Sequence, residues 1–187
     1  MRFAVITFGC RVNQADSFGL ERGLRAAGGR AVPAAVADIV VVNSCSVTAT
    51  ADQGTRQAIR RVARTNANAR IVATGCYASR AAAEVAALPG VVAVVPNEDK
   101  DALVARILNA AEPTTAERFG DGNGACGAVI PPGERGRTAY TLRVQTGCDE
   151  ACAYCIIPST RGRGRSVPLA QVLDEVDQAA GAGYREL

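Results

Sequence analysis

Residues 38–45 read DIVVVNSC: an acid, four branched apolar residues, then Asn43, Ser44 and Cys45. A run that short and continuously apolar has the character of a strand buried on both faces, as in a parallel sheet. The same phrase stands on either side of it in the chain, as RFAVITFGC at 2–10 and RIVATGC at 70–76. Helical patterns separate the three runs, so the chain reads as α/β. The expected elements are a strand at 2–7, a helix near 14–27, a strand at 39–43 and a helix at 52–65, then a strand at 70–74, a helix at 79–88, a strand at 91–95 and a helix at 99–111. Cys10, Cys45 and Cys76 all fall just past a strand's carboxyl end, the edge where open α/β sheets form ligand sites. Thiols more than 30 residues apart can converge there, although three core thiols among apolar neighbours would show the same pattern.

A different cysteine pattern lies further on. Residues 147–155, GCDEACAYC, carry Cys148, Cys152 and Cys155 at C-x3-C-x2-C spacing. Three thiolates from one loop can hold three irons of a [4Fe–4S] cube and leave the fourth iron open for chemistry. A structural zinc site wants four closed ligands, and the chain contains no histidine to complete one. The plainer alternative is three buried or redox-idle thiols.

The longer segment GCDEACAYCIIPSTRGRGRS, residues 147–166, resembles the cluster loop of radical S-adenosylmethionine (SAM) enzymes, specifically the methylthiotransferases. The resemblance implies that the open iron binds the amino and carboxylate groups of SAM and delivers the electron that cleaves it to a 5′-deoxyadenosyl radical. Tyr154 would pack beside cluster and SAM. The elements TFGCRVNQADS, VVVNSCSVTATAD and IVATGCYASR are similar to the three amino-terminal cysteine elements of that family, which hold an auxiliary [4Fe–4S] cluster. Carried over, Cys10, Cys45 and Cys76 bind the auxiliary cluster, Cys148, Cys152 and Cys155 the SAM cluster, and no side chain is assigned as a catalytic acid or base. Asn13 and Asn43 flank the auxiliary cysteines, either to hydrogen-bond sulfur or to form turns at strand ends.

Arg11 to Gln14 and the pair Val47 and Thr48 are similar to the branch acting on N6-threonylcarbamoyladenosine beside the anticodon of tRNA. The isopentenyladenosine branch and the branch modifying a ribosomal protein aspartate read differently there. The implied reaction takes hydrogen from adenine C2 and transfers a methylated sulfur to that carbon. The implied partners are the tRNA anticodon loop and an electron donor of flavodoxin or ferredoxin type. A non-catalytic Fe–S electron-transfer module or tRNA-binding fragment is the competing class.

The domain expectation is a Rossmann- or flavodoxin-like methylthiotransferase domain over 1–111, a linker over 112–137 containing the leftover Cys126, and the start of a radical SAM βα barrel over 138–187. In the last part Tyr140–Val144 reads as a strand, Leu169–Ala180 as a helix with Leu169, Val172, Val176 and Ala180 on its apolar stripe, and 185–187 as the approach to a second strand. That is one β–loop–α unit of a barrel, so this chain alone is expected to be inactive. All basic residues but Lys100 are arginine, clustered as Arg56, Arg60, Arg61 and Arg64 on one helix and as Arg161, Arg163 and Arg165 in STRGRGRS. Arg56, Arg60 and Arg64 share a face at i, i+4 spacing and, with the three loop arginines, are the candidate phosphate contacts to RNA. The net charge of +3 is too small to mark a nucleic-acid binder by itself. Six ligand-type cysteines, no signal segment and no bilayer-spanning apolar run fit a cytoplasmic protein with no membrane partner.

Overall fold

A computed structural model describes residues 1–108 and 139–187. Five strands, β1 (Arg2–Thr7), β2 (Arg30–Ala31), β3 (Ile39–Ser44), β4 (Arg70–Gly75) and β5 (Val91–Val95), form one sheet in the order β2-β1-β3-β4-β5. Every pairing is parallel, as the unbroken apolar runs led one to expect. Between the first helix and β3 two short features were not legible in the sequence, β2 and a 3-10 turn at Ala34–Val36.

The period of two along β3 divides the core between the sheet's faces. Val40 and Val42 join Ile59, Val62, Tyr77 and Val85 on one side, while Ile39 and Val41 join Phe3, Leu20, Leu24 and Leu103 on the other. Helices α1 (Arg11–Ala26) and α5 (Leu103–Leu108) supply the second layer, and α2 (Ala49–Thr65), α3 (Cys76–Arg80) and α4 (Ala82–Ala86) the first. Each fully buried Val, Leu or Ile stabilises the fold by about 1.5–3 kcal/mol, so β3 is the central support of both layers.

Capping chemistry shifts the helix ends from their expected places. Thr48 Oγ1 accepts a hydrogen bond from Ala51 N at 3.2 Å, which starts α2 three residues before 52. The expected helix at 79–88 is instead two short helices, with the break at Ala81. A 3-10 turn at Asn97–Ala102 leads into α5, and the expected continuation to 111 lies outside the described residues. So do the expected linker at 112–137 and Cys126.

In the carboxy-terminal part the strand expected at Tyr140–Val144 does not form. Ala139 makes an isolated parallel bridge with Glu186, and Gln145–Thr146 (β6) pairs antiparallel with Arg165–Ser166 (β7). Gly147 and Gly162, at φ of +74° and +72°, turn the chain back on itself and make that short pairing possible. Part of the expected basic loop is thereby ordered, between α6 (Ile157–Arg161) and β7. Helix α7 (Leu169–Gly181) forms where expected, but its stripe is rotated: Glu175 and Ala179 are buried, whereas Leu169 and Ala180 are exposed.

Glu175 has a chemical reason to face inward, since Tyr140 Oη donates to its Oε1 at 3.1 Å. Burial nevertheless pushes its carboxyl above the usual range, against the Tyr140 hydrogen bond and the charges of Arg22 and Arg143. An acid whose folded value is raised holds its proton longer in the native state, so stability is present below the unfolded value near 4.3 and is lost as pH rises through the folded one. Melting temperature followed against pH is expected to decline through that window, and Glu175→Gln, which keeps an acceptor for Tyr140, should flatten the decline. An equal slope in the variant would remove Glu175 as its source.

Candidate functional site

Two glycines let the loops bearing the first three cysteines touch. Gly9 has φ of +88°, and a Cβ there would stand 2.2 Å from Cys45 Sγ, so the loop after β1 lies directly on the loop after β3. Gly75 has φ of +96°, and its Cβ would stand 2.1 Å from Ser44 O, which draws the start of α3 and Cys76 against the end of β3. No residue with a Cβ makes either approach. Gly9→Ala is therefore expected to destabilise the protein by about 1–3 kcal/mol through backbone strain alone. An unchanged melting midpoint would show that the two loops are not in contact.

Side chains lace the same edge. Ser44 Oγ donates to Thr74 O at 2.6 Å and accepts from Ala78 N at 3.0 Å, tying β3 to β4 and α3. Asn13 Nδ2 donates to Phe8 O at 3.0 Å and Ser44 O at 2.7 Å, and Asn43 Nδ2 donates to Asn13 O at 2.8 Å. Both Asn amides therefore serve oxygens and shape the loops. The amide that stands against sulfur is Asn97, with Nδ2 at 3.6 Å from Cys76 Sγ, and no sequence signal singled it out.

Cys45 and Cys76 are buried and Cys10 is exposed at the N-cap of α1, where its side chain caps nothing. Among the described residues no three Cys, Asp or Glu side chains are grouped to hold a single metal ion. A cube, with each thiolate on its own iron, asks instead for sulfurs spread around it. The strand order reverses between β1 and β3, and the crevice at such a reversal is where sheets of this order bind ligands. Cys10 and Cys45 lead away from those two strands.

Behind Cys76 lies a buried charge cluster. The Asp16 carboxylate is fully enclosed, and its Oδ2 is shared by Lys100 Nζ and Arg161 Nη2 at 3.0 Å each, while Arg143 Nη1 holds Oδ1 at 3.0 Å. Burial alone would push the Asp16 carboxyl up, but Lys100, Arg161 and Arg143 together hold it below the usual carboxylate range. Burial holds the Lys100 ammonium low, with Arg161 adding to the effect against the attraction of Asp16. Arg161 is pulled down by burial and raised more strongly by Asp16 and by the neighbouring Cys76. Two cations on one oxygen leave positive charge beside Cys76, which suits anionic, thiolate-held groups.

The second cysteine triad sits on the loop from Gly147 to α6. Cys148 N donates to Gly162 O at 3.1 Å and Cys155 N to Cys152 O at 3.0 Å. Cys148 and Cys155 are half-buried, Cys152 is exposed, and Tyr154, 92% exposed, packs on nothing described. Helix α6, which begins two residues after Cys155, lies against α3, which begins at Cys76, so the two triads occupy neighbouring loops.

The six candidate RNA contacts divide by environment. Arg60, Arg64, Arg163 and Arg165 are exposed, with Arg163 Nε 3.1 Å from Asp149. Arg56 is half-buried, bonded to Tyr77 Oη at 2.9 Å and Glu84 at 3.2 Å, and its guanidinium lies 5.6 Å from the Tyr77 ring centre. Arg161 is turned inward and committed to Asp16 and Asn13, which corrects its expected place on an RNA-facing loop. No helix among the described residues is long and apolar enough to cross a membrane.

A doubly wound parallel sheet with thiols past three adjacent strands, followed by a C-x3-C-x2-C loop, defines the class. Residues 2–96 match the model of the uncharacterized protein family UPF0004, and the chain belongs to that family. A threonylcarbamoyladenosine tRNA methylthiotransferase, MtaB, of Bacillus subtilis is 36% identical over 97% of this chain and 41% of its own length. A ribosomal protein uS12 methylthiotransferase, RimO, of Roseiflexus sp. is 34% identical over all of this chain and 44% of its own length. The chain thus spans less than half the length of these curated relatives. A solved radical SAM methyltransferase from Kitasatospora setae, TsrM, with tryptophan and a SAM analogue bound, covers 98% of this chain with 46% of its own, at a TM-score of 0.58 and 16% identity, a likeness of fold.

Proposed function

We propose that this protein serves in methylthiolation of N6-threonylcarbamoyladenosine in tRNA, as a radical SAM methylthiotransferase. The observation that carries the reading is the adjacency of the two thiol triads, through α6 on α3, in a chain whose relatives are methylthiotransferases. Cys10, Cys45 and Cys76 would hold an auxiliary [4Fe–4S] cluster, and Cys148, Cys152 and Cys155 a second one to which SAM binds. When bound, the clusters supply the electron for SAM cleavage and an anchoring point for the transferred sulfur.

The chain's own residues do the rest. Gly9 and Gly75 permit the close approach of the cysteine loops, and the positive charge of Arg161 and Lys100 offsets the negative charge of thiolate ligands near Cys76. Exposed Tyr154 is free to cover a ligand at the second triad, and Arg60, Arg64, Arg163 and Arg165 are available to tRNA phosphates. The RimO relative, a ribosomal protein uS12 methylthiotransferase, marks a ribosomal protein as the second substrate reading. Anaerobic reconstitution with iron and sulfide, followed by EPR of the reduced protein with and without SAM, tests the cofactor reading. A SAM-dependent change in one of two cluster signals is expected, and two signals indifferent to SAM would instead mark an electron-transfer module. Nucleoside analysis of tRNA from a host strain complemented with the protein then separates the tRNA from the ribosomal substrate.

A further inference from the structure

One buried side chain carries the second cysteine loop onto the first cysteine site. Arg161 ends α6, six residues past Cys155, and its Nη2 donates to Asn13 Oδ1 at 2.6 Å and to Asp16 Oδ2 at 3.0 Å. Its Nη1 reaches back to Thr146 Oγ1 at 3.4 Å. Asn13 is the residue whose amide holds the carbonyls of Phe8 and Ser44, which precede Cys10 and Cys45 in the chain. Asn97 makes a parallel span, with Nδ2 2.7 Å from Thr160 O and 3.6 Å from Cys76 Sγ. Hydrogen bonds therefore run without interruption from α6 to all three loops of the first triad.

We propose that Arg161 is a positioning residue that fixes the separation of the two thiol triads by clamping α6 onto Asn13 and Asp16. The proposal deepens the reading above and rests on it for what the thiols hold. Two chemical groups that act on one substrate atom tolerate little displacement, since about 1 Å of misplacement can cost a hundredfold in rate. A buried ion pair is a poor source of stability compared with apolar packing, so its presence here is better accounted for by the single arrangement it enforces. The planar guanidinium meets Asn13, Asp16 and Thr146 at once, which the single ammonium of a lysine does not.

The test uses Arg161→Lys and Arg161→Met in the full chain, with Arg61→Met, exposed on α2, as the surface control. In iron-free protein, amide exchange over residues 148–162 is expected to accelerate about tenfold in Arg161→Lys and further in Arg161→Met, with β3 and β4 amides unchanged and the control like wild type. In reconstituted protein, the dipolar coupling between the two reduced clusters is expected to weaken or broaden in Arg161→Lys. Wild-type exchange over 148–162, or a coupling unchanged from wild type, overturns the proposal. If Arg161→Met unfolds the whole chain, Arg161→Lys decides by itself. Failure of the wild type to take up iron would defeat the cofactor reading, and the clamp would then stand or fall on the exchange data alone.

Discussion

Asp16→Ala is expected to destabilise the protein by about 3–5 kcal/mol, because it leaves buried cations without their common carboxylate. Lys100 and Arg161 are each 5% exposed at the side chain and share the same oxygen of Asp16, and Arg143 takes the other. Removing the carboxylate would leave Lys100 facing Arg161 in a dry site, so Lys100 should shed its proton and the guanidinium of Arg161 should pull away from the cluster. Arg143 and Arg161 both belong to residues 139–187 while Asp16 lies on α1, so the loss should fall first on the packing of residues 139–187 against the sheet. Denaturant unfolding measures the total, and limited proteolysis locates it. Asp16→Asn should behave almost as badly, since it keeps an acceptor but not the charge, while Lys100→Met should recover part of the loss in the double variant. A cost under about 1 kcal/mol for Asp16→Ala would show that these charges are hydrated in solution.

Changing Cys148, Cys152 and Cys155 together to Ala is expected to halve the iron of the reconstituted protein, from about eight atoms to about four, and to remove the SAM-dependent EPR change altogether. The three side chains are half-buried or exposed on a loop outside both core layers, so the variant should keep its fold and its melting midpoint. The corresponding change of Cys10, Cys45 and Cys76 removes two buried side chains, and it should lower stability as well as iron. Retention of about eight irons by the first triple variant would end the assignment of a cluster to that loop.

What could be read from residues alone was whatever depends on local pattern. DIVVVNSC, RFAVITFGC and RIVATGC carry enough apolar length and branching to specify buried parallel strands, and a cysteine after each places a thiol at the sheet's carboxyl edge. The C-x3-C-x2-C spacing likewise names its candidate ligands within one loop. The apolar stripe assigned to α7 failed because periodicity counts hydrophobic residues and is blind to a Tyr140 hydroxyl that makes burying Glu175 acceptable. The Tyr140–Val144 strand failed because β structure needs a partner, and the chain turned at Gly147 and Gly162 gives the pairing to Gln145–Thr146 instead.

By itself, then, the sequence determined the four longer strands of the sheet, the positions of six thiols and the family resemblance, all of which follow from side-chain type at short range. Only the tertiary structure decided that Arg161, written in the chain as part of a surface-looking Arg-Gly run, is buried against Asp16 and Asn13. The same holds for Asn97 beside Cys76 and for Lys100 on the Asp16 carboxylate. These are contacts between residues 21 to 148 positions apart, and no local spacing encodes them. They are selected by the requirement that buried charge and buried amides find partners, and which partners are within reach is set by how the sheet brings its loops together.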